Sequence, residues 1–198
     1  QHLVPFGEFI PFGQWMPWIY RVSHLSGGLT EGEAAHNFEI VNAAGRTVRI
    51  APNICYETVM PQVIRGQMLE LAAAGKTPDV LVSVTNDGWF FGSSELDLHL
   101  RCGVFRAIET RRPLLIAANT GFSANIDPLG RIVDQGARRK PDILLVNAIE
   151  LTSPEARELT PYVRYGEVPG KAGWYLICLV ALAELVFAIQ QRQRQRKQ

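Results

Sequence analysis

Cys55 is the residue with the clearest potential for chemistry. It ends the β-branched, apolar run that starts at Arg46, and a segment with helical spacing follows it at once. This order predicts a thiol at a strand-to-helix corner, exposed at the edge of a sheet and facing the positive end of a helix dipole. Both features favour a thiolate nucleophile. The alternative is a buried structural cysteine, since free cysteine is among the most buried residue types.

Motifs on both sides of the cysteine favour the nucleophile. Residues 2–11 contain a Pro-Phe-Gly-Glu turn, residues 55–57 read Cys-Tyr-Glu, and residues 82–90 end in Thr-Asn-Asp-Gly-Trp-Phe. In this order the motifs resemble the carbon–nitrogen hydrolase, or nitrilase, superfamily. The complete residue sequences of these motifs resemble the membrane branch of that superfamily, the apolipoprotein N-acyltransferases. Further matches lie at residues 105–113, 118–121, 127–131 and 159–164.

The resemblance implies roles for residues beside Cys55. The backbone N–H of Tyr56 is a natural donor to an oxyanion, since it would point from the start of the following helix. Glu57 either takes part in the chemistry or caps that helix. Glu8 matches a family glutamate that supports the catalytic lysine and the reacting group; the alternative is a turn carboxylate that caps backbone amides. In the family, that lysine falls just before the position of Gln1, and a general-base glutamate lies further upstream.

The predicted substrate-binding residues are Asn86, Asp87, Trp89 and Phe90. They follow a short apolar strand that ends at the same sheet edge as Cys55, and such strand ends line ligand crevices in α/β sheets. The aromatic pair, together with Phe91, either packs in the core or forms a rim where lipid acyl chains enter. Its place after a motif at the active edge favours the rim.

Strand-like and helical segments alternate along the chain, which predicts a layered α/β domain with a mixed sheet. We expect strands at residues 38–43, 46–53, 80–85, 114–118, 123–126, 132–134 and 143–148. We expect helices at residues 58–74 and 94–111. The resemblance implies the four-layer αββα sandwich of the nitrilase family, incomplete here because the early strands are missing.

The second predicted helix carries three expectations of its own. Ser94 is placed as its N-cap. Its core side is assigned to Leu98, Val104, Phe105 and Ile108. Arg106 and Glu109 lie three residues apart and are expected to form a surface ion pair. Cys102 on the same helix is expected to be structural.

A membrane-spanning helix is predicted near the C-terminus. Residues 172–189 form an 18-residue apolar run with Glu184 as its one charge, close to the ~20 residues that a span needs. The following tail carries four positive charges and no negative one, so the positive-inside rule places it in the cytoplasm. The alternative is an amphipathic helix packed on the domain. The expected organisation is a catalytic domain at 1–168 on the periplasmic side, a transmembrane helix at 172–190 and a cytoplasmic tail at 191–198.

Composition excludes several classes of function. The chain has 198 residues, is 47% hydrophobic and carries a net charge of +1, so it predicts one domain with a core and gives no reason to expect a nucleic-acid partner. Its three cysteines and four histidines show no metal-ligand spacing. We therefore expect no metal and no cofactor.

The resemblance implies transfer of an acyl chain from a phospholipid through a Cys55 thioester to the amino terminus of a diacylated apolipoprotein, in the bacterial inner membrane. Two alternatives remain: a membrane-tethered amidase of the nitrilase type, with water as acceptor, and a truncated, non-catalytic remnant. We expect the chain to be the C-terminal fragment of a longer protein. We also expect it to be inactive alone, because the implied lysine and general base lie upstream.

Overall fold

The computed structural model describes residues 8–13, 15, 16, 18, 29, 32–139, 144, 146, 149, 151 and 158–195. Its contacts divide the chain into two compact units, Gln1–Arg164 and Tyr165–Gln198. The first unit holds the sheet and its packing helices, and the second consists mainly of one long helix.

A six-stranded mixed sheet with strands in sequential order, β1 to β6, forms the centre of the first unit. Its strands are β1 Phe38–Val41, β2 Thr47–Ile54, β3 Val80–Thr85, β4 Leu114–Ala118, β5 Ala124–Ile126 and β6 Ile132–Gln135. The central strands β2, β3 and β4 are parallel, and the outer pairings are antiparallel. The carboxyl ends of the three parallel strands therefore meet at one edge, where α/β sheets place their ligands.

The helices are α1 Pro61–Ala73, α2 Glu95–Thr110, α3 Pro161–Tyr165 and α4 Val168–Gln195. Buried side chains of α1, α2 and α3 pack with one face of the sheet in a single hydrophobic cluster that includes Met68, Leu81, Leu114 and Val163. On the opposite face, Ile54 and Val84 are exposed. Within the first unit, the described residues thus form one helical layer on one β layer.

The sequence prediction located most of these elements, with differences at their ends. The predicted strand at 143–148 lies largely outside the described residues. The helix predicted from residue 58 begins at Pro61, because Cys55–Thr58 form a separate 3₁₀ turn. Ser94 precedes α2, but its side chain makes no capping hydrogen bond; the Oγ of Ser93 accepts from the Glu95 N–H instead, at 3.3 Å.

The predicted core face of α2 is right for Val104, which packs against the hydrophobic core, and wrong for the other three residues, Ile108 included. Leu98 is 53% exposed and Phe105 is also exposed, whereas Leu96 and Leu100 are buried. The reason is the close approach of the helix to the sheet at Gly103, where an added Cβ would lie 2.8 Å from Cδ1 of Ile116. Packing through a glycine fixes which face is buried, and a search for large apolar residues at helical spacing misses it.

The ion pair between Arg106 and Glu109 forms as predicted, with 2.8 Å between Nη2 and Oε1. Its predicted place at the surface is wrong, because Arg106 is buried. The same rotation of α2 that buries Gly103 turns this arginine inward, since the two residues are three apart on the helix.

Helix α4 begins before the predicted apolar run and continues to Gln195. Within it, Val168–Leu185 is long and apolar enough to cross a membrane, and none of this window is buried in the structure. An exposed apolar surface of this length is what a span requires. Residues 196–198 of the predicted cytoplasmic tail lie outside the described residues.

The two leucines at the start of α2 test the corrected core face. We expect Leu96→Ala to lower the free energy of unfolding by about 2–5 kcal/mol, because it opens a cavity in a packed core. Leu98→Ala, the matched control, should stay within about 0.5 kcal/mol of wild type. Thermal unfolding of the detergent-solubilised protein measures both. Equal losses for the two variants would contradict the assignment of the buried face.

Candidate active site

Cys55 lies where β2 ends and a four-residue 3₁₀ turn, Cys55–Thr58, begins. Its φ is +46°, a left-handed conformation that costs a non-glycine residue about 1–3 kcal/mol and is concentrated at functional sites. The sequence predicts a helical segment directly after Cys55, with the thiol at its start. The segment that begins there is the short 3₁₀ turn, and α1 follows only from Pro61.

Two side chains of the turn hold the backbone on both sides of Cys55. The buried carboxylate of Glu57 accepts the N–H of Ile54 at 2.7 Å. The hydroxyl of Thr58 donates to the carbonyl oxygen of Cys55 at 2.9 Å. Glu57 therefore stabilises the bend by capping the start of the 3₁₀ turn, which is one of the two roles predicted for it.

Beneath the turn lies a buried network centred on Asp87 and His99. Asp87 is 3% exposed, and its Oδ1 accepts from the Thr85 hydroxyl at 2.7 Å and lies 2.8 Å from Nδ1 of His99. Nε2 of His99 lies 2.9 Å from Oγ1 of Thr58 and 3.3 Å from the carbonyl oxygen of Cys55. The network thus connects the end of β3 to the cysteine.

Burial by itself raises the pKa of Asp87, but hydrogen bonds from His99 and Thr85 and the charge of His99 outweigh it, so the pKa lies below its usual value. The carboxylate is therefore ionised near neutral pH. This carboxylate bonds Thr85 and His99, so in the structure it holds the network beneath the Cys55 turn. Asn86, its neighbour in the predicted substrate-binding set, is exposed.

His99 is not among the residues predicted from the sequence. The available signal was its position on α2, three residues after Leu96 and four before Gly103, which places it on the buried face. That face could be recognised only once the close approach at Gly103 was known.

The loops after β3 and β4 are locked together. Asn119 accepts the backbone N–H of Asp87 at 3.0 Å through Oδ1 and donates to Oδ1 of Asn86 at 2.6 Å through Nδ2. Gly121 passes so close that an added Cβ would lie 1.8 Å from Oδ2 of Asp87. The Asn-Asp and Asn-Thr-Gly motifs therefore form one structural unit at the carboxyl edge.

The aromatic residues Trp89, Phe90 and Phe91 do not all have the same surroundings: two are exposed and one packs inward. Trp89 is 69% exposed and Phe91 is 88% exposed, as a rim requires. Phe90 instead packs edge-on against the ring of His99, with 6.2 Å between centroids. Arg138 holds the loop that follows, donating to the carbonyl oxygens of Gly92 and Ser93.

The remaining predicted residues occupy different surroundings. Tyr56 is exposed and is the second residue of the 3₁₀ turn, where backbone N–H groups lack intrahelical partners. Glu8 is partly buried in a turn, and its backbone carbonyl oxygen accepts the N–H of Leu29 at 3.0 Å. Cys102 on α2 is partly buried, and burial raises the pKa of its thiol, which keeps it protonated and a poor nucleophile.

A cavity of about 340 Å³ lies between residues 32–35 and α1, and its lining includes Asn53, Glu57, Gln67 and Glu70. It reaches the turn through Glu57 but is lined by neither Cys55 nor the aromatic rim. In the part of the chain that the structure describes, no three His, Cys, Asp or Glu side chains cluster as a metal site.

Comparison with known proteins agrees with this geometry. The carbon–nitrogen hydrolase family model matches residues 2–156. The chain belongs to the carbon–nitrogen hydrolase family. The predicted fold class is confirmed: an α/β domain of this family with a mixed sheet, followed by one apolar helix.

Relatives of this carbon–nitrogen hydrolase confirm the predicted resemblance to its membrane branch. The chain is 38% identical over 193 residues to the apolipoprotein N-acyltransferase of Rhodopseudomonas palustris, covering 96% of this chain and 32% of the relative. It is 33% identical over 196 residues to that of Thermotoga maritima, covering 99% and 35%. The chain therefore spans about a third of the length of these curated relatives.

Among solved structures, yeast Nit3, a member of the nitrilase superfamily, superposes with a TM-score of 0.48 at 19% identity, over 68% of this chain and 46% of that protein.

The close contact at Gly121 makes a sharp test of the interlocked loops. We expect Gly121→Ala to displace Asp87, because the new methyl would overlap its carboxylate, and so to lower activity by about 10²-fold, the effect of a small misplacement in an active site. Gly66→Ala is the matched control, since nothing lies within 4 Å of its added Cβ. Steady-state rates of both full-length variants are the measurement. An active Gly121→Ala enzyme would show that the loops do not position the site.

Proposed function

We propose that this chain carries the nucleophile of an apolipoprotein N-acyltransferase. The observation that carries the proposal is Cys55 itself, partly exposed and held in a left-handed bend at the carboxyl edge of a carbon–nitrogen hydrolase sheet. The curated relatives bear that name and align along nearly the whole chain, which favours acyl transfer over amide hydrolysis.

In the first half-reaction the Cys55 thiolate attacks an ester carbonyl carbon of a phospholipid. The carbon–oxygen bond of the ester breaks, the lysophospholipid leaves with a proton, and the acyl chain remains on sulfur as a thioester. The backbone N–H of Tyr56 donates to the oxyanion of the tetrahedral intermediate. A positioned donor of this kind is worth about 10²–10³ in rate.

In the second half-reaction the α-amine of a diacylglyceryl-cysteine, at the amino terminus of the apolipoprotein, attacks the thioester. The carbon–sulfur bond breaks, an amide forms, and the thiol of Cys55 is regenerated after proton transfer. Asn86 and Asp87 support this edge of the sheet, where the phospholipid donor and the apolipoprotein acceptor reach Cys55 one after the other. Glu8, in the Pro-Phe-Gly-Glu turn, supports the catalytic lysine and the reacting group, as the family resemblance implies.

We infer that the second oxyanion donor and the general base come from chain outside these 198 residues. The resemblance implies a lysine and a glutamate for those tasks. Lys76 follows α1, at the opposite edge of the sheet from Cys55, and is the lysine that the structure describes in the α/β unit. Lys76 is therefore not a candidate for the implied lysine.

The lipid nature of both substrates agrees with the exposed aromatic side chains and the long apolar helix. Trp89 and Phe91 offer an apolar rim beside the bend, and Val168–Leu185 offers a span that keeps the domain at a bilayer. We propose the bacterial inner membrane as the location, with the catalytic domain on the periplasmic side and the basic tail in the cytoplasm.

Replacing Cys55 tests the proposed nucleophile. In the full-length enzyme, given phosphatidylethanolamine and a diacylated lipopeptide, Cys55→Ser should abolish the acyl-thioester seen by mass spectrometry and lower the rate by at least about 10³-fold. Cys102→Ser is the matched control and should keep most activity, because partial burial raises the pKa of the Cys102 thiol and keeps it protonated.

The same assay separates the alternatives. An active Cys55→Ser enzyme would refute the assignment, and release of free fatty acid to water in preference to the lipopeptide would favour the amidase. Residues 1–198 alone should show no turnover, because loss of a general base typically costs a further ~10²–10⁴ in rate. Cys55-dependent acylation by those residues alone would show that they contain a complete site.

The proposed orientation predicts how Cys55 reacts in whole cells. A membrane-impermeant maleimide applied to intact spheroplasts should label the peptide that contains Cys55, identified by mass spectrometry, because the domain faces the outside. Lysed spheroplasts provide the control for total reactivity. Labelling of Cys55 only after lysis would place the domain on the cytoplasmic side.

A further inference from the structure

His99 sits at the meeting point of three elements that form the site. It is buried on α2, and its ring reaches Asp87 after β3 on one side and the 3₁₀ turn of Cys55 on the other. The backbone carbonyl of Cys55 thus has two neighbours that can donate to it, the Thr58 hydroxyl at 2.9 Å and Nε2 of His99 at 3.3 Å.

The two ring nitrogens of His99 have different partners. Nδ1 faces the carboxylate of Asp87, which in its ionised form only accepts. Nε2 faces the carbonyl oxygen of Cys55, which only accepts, and the oxygen of Thr58, whose hydrogen is directed to that same carbonyl. Both ring nitrogens of His99 are therefore within hydrogen-bond distance of protein groups, Nδ1 of Asp87 and Nε2 of Cys55 and Thr58.

This arrangement acts on the backbone of the nucleophile. Glu57 accepts the N–H of Ile54, and Thr58 and His99 contact the carbonyl oxygen of Cys55 itself. A residue with φ of +46° keeps a left-handed conformation only when its surroundings over-determine it. The ring of His99 connects that carbonyl to α2 and, through Asp87, to the end of β3, which restrains its position.

We propose that His99 is a positioning residue for Cys55, held by Asp87 and acting on the cysteine through its carbonyl and Thr58. The proposal rests on Cys55 being the nucleophile of the proposed function. His99 does not touch the substrate in this account. Its task is to keep the bend that aims the thiol at the acyl carbonyl, and Asp87 orients its ring.

Two conservative replacements of His99 separate positioning from packing. The side-chain amide of glutamine can place a donor near the position of Nε2, toward Cys55 and Thr58. That of asparagine can place one near Nδ1, toward Asp87 only. In the full-length enzyme with phosphatidylethanolamine vesicles, we expect His99→Gln to form the acyl-enzyme about tenfold faster than His99→Asn, about the effect of one hydrogen bond.

The loss should fall on the acylation rate and leave the KM for phospholipid unchanged, since His99 is buried away from the substrate. Arg101→Gln, an exposed change on the same helix, is the control for α2 and should react at the wild-type rate. Equal rates for His99→Gln and His99→Asn, or a loss that appears only in KM, would overturn the proposal.

A second pair covers the case in which the His99 variants do not fold. Thr58→Val removes the hydroxyl between the ring and the carbonyl with little change of shape, whereas Thr58→Ser keeps it. We expect the serine variant to form the acyl-enzyme about tenfold faster than the valine variant. Equal rates would count against positioning through this carbonyl.

The rate of Cys55 alkylation by iodoacetamide distinguishes this proposal from the proposed function. Alkylation needs an aimed, accessible thiol but no lipid substrate, so it should follow the same order, glutamine above asparagine and serine above valine. If that order holds while Cys55→Ser still transfers acyl groups, positioning stands and the proposed acyl nucleophile fails. If Cys55→Ser is inactive but the order is absent, the positioning proposal fails by itself.

Discussion

The chain must turn from an extended strand into a 3₁₀ turn within one residue, and that residue is Cys55. Its left-handed φ of +46° is unfavourable for a side chain with a Cβ, so the bend persists only if neighbouring groups hold it. Glu57 and Thr58 bond the backbone on either side. Much of the surrounding architecture serves to keep those two residues in place.

The parallel centre of the sheet provides the frame for this bend. Because β2, β3 and β4 run the same way, the loops after them emerge at one edge, where Asn119 bonds both Asn86 and Asp87. The imidazole ring of His99 lies beneath this edge because Gly103 lets α2 approach the sheet closely. A larger residue there would move the helix outward and His99 away from the turn.

The site therefore has a rigid base and an exposed upper side. The base consists of buried polar groups that satisfy one another, an arrangement that rigidifies a site when every partner is present. The upper side presents Trp89 and Phe91 to the surroundings. In the acyl transfer that we propose, this division would keep the Cys55 thiol fixed while the apolar rim accommodates the lipid chains.

The sequence by itself determined the local features. Apolar runs bounded by turn residues located the strands from β1 to β6, and the motifs around Cys55 identified its family and the edge at which it lies. These features could be read because strand patterns and turn chemistry depend on neighbouring residues. The apolar run that forms the long C-terminal helix is local in the same sense, since spanning length is a property of one segment.

The tertiary structure decided what depends on distant residues. It buried Leu96 and exposed Leu98, because the face of α2 is set by contact between Gly103 and Ile116, residues on different elements. It also joined Asp87 to His99, which are 12 residues apart, and His99 to Thr58, which are 41 apart. Hydrogen bonds between separate elements leave no periodic signal in the chain, so the network beneath Cys55 exists only in the fold.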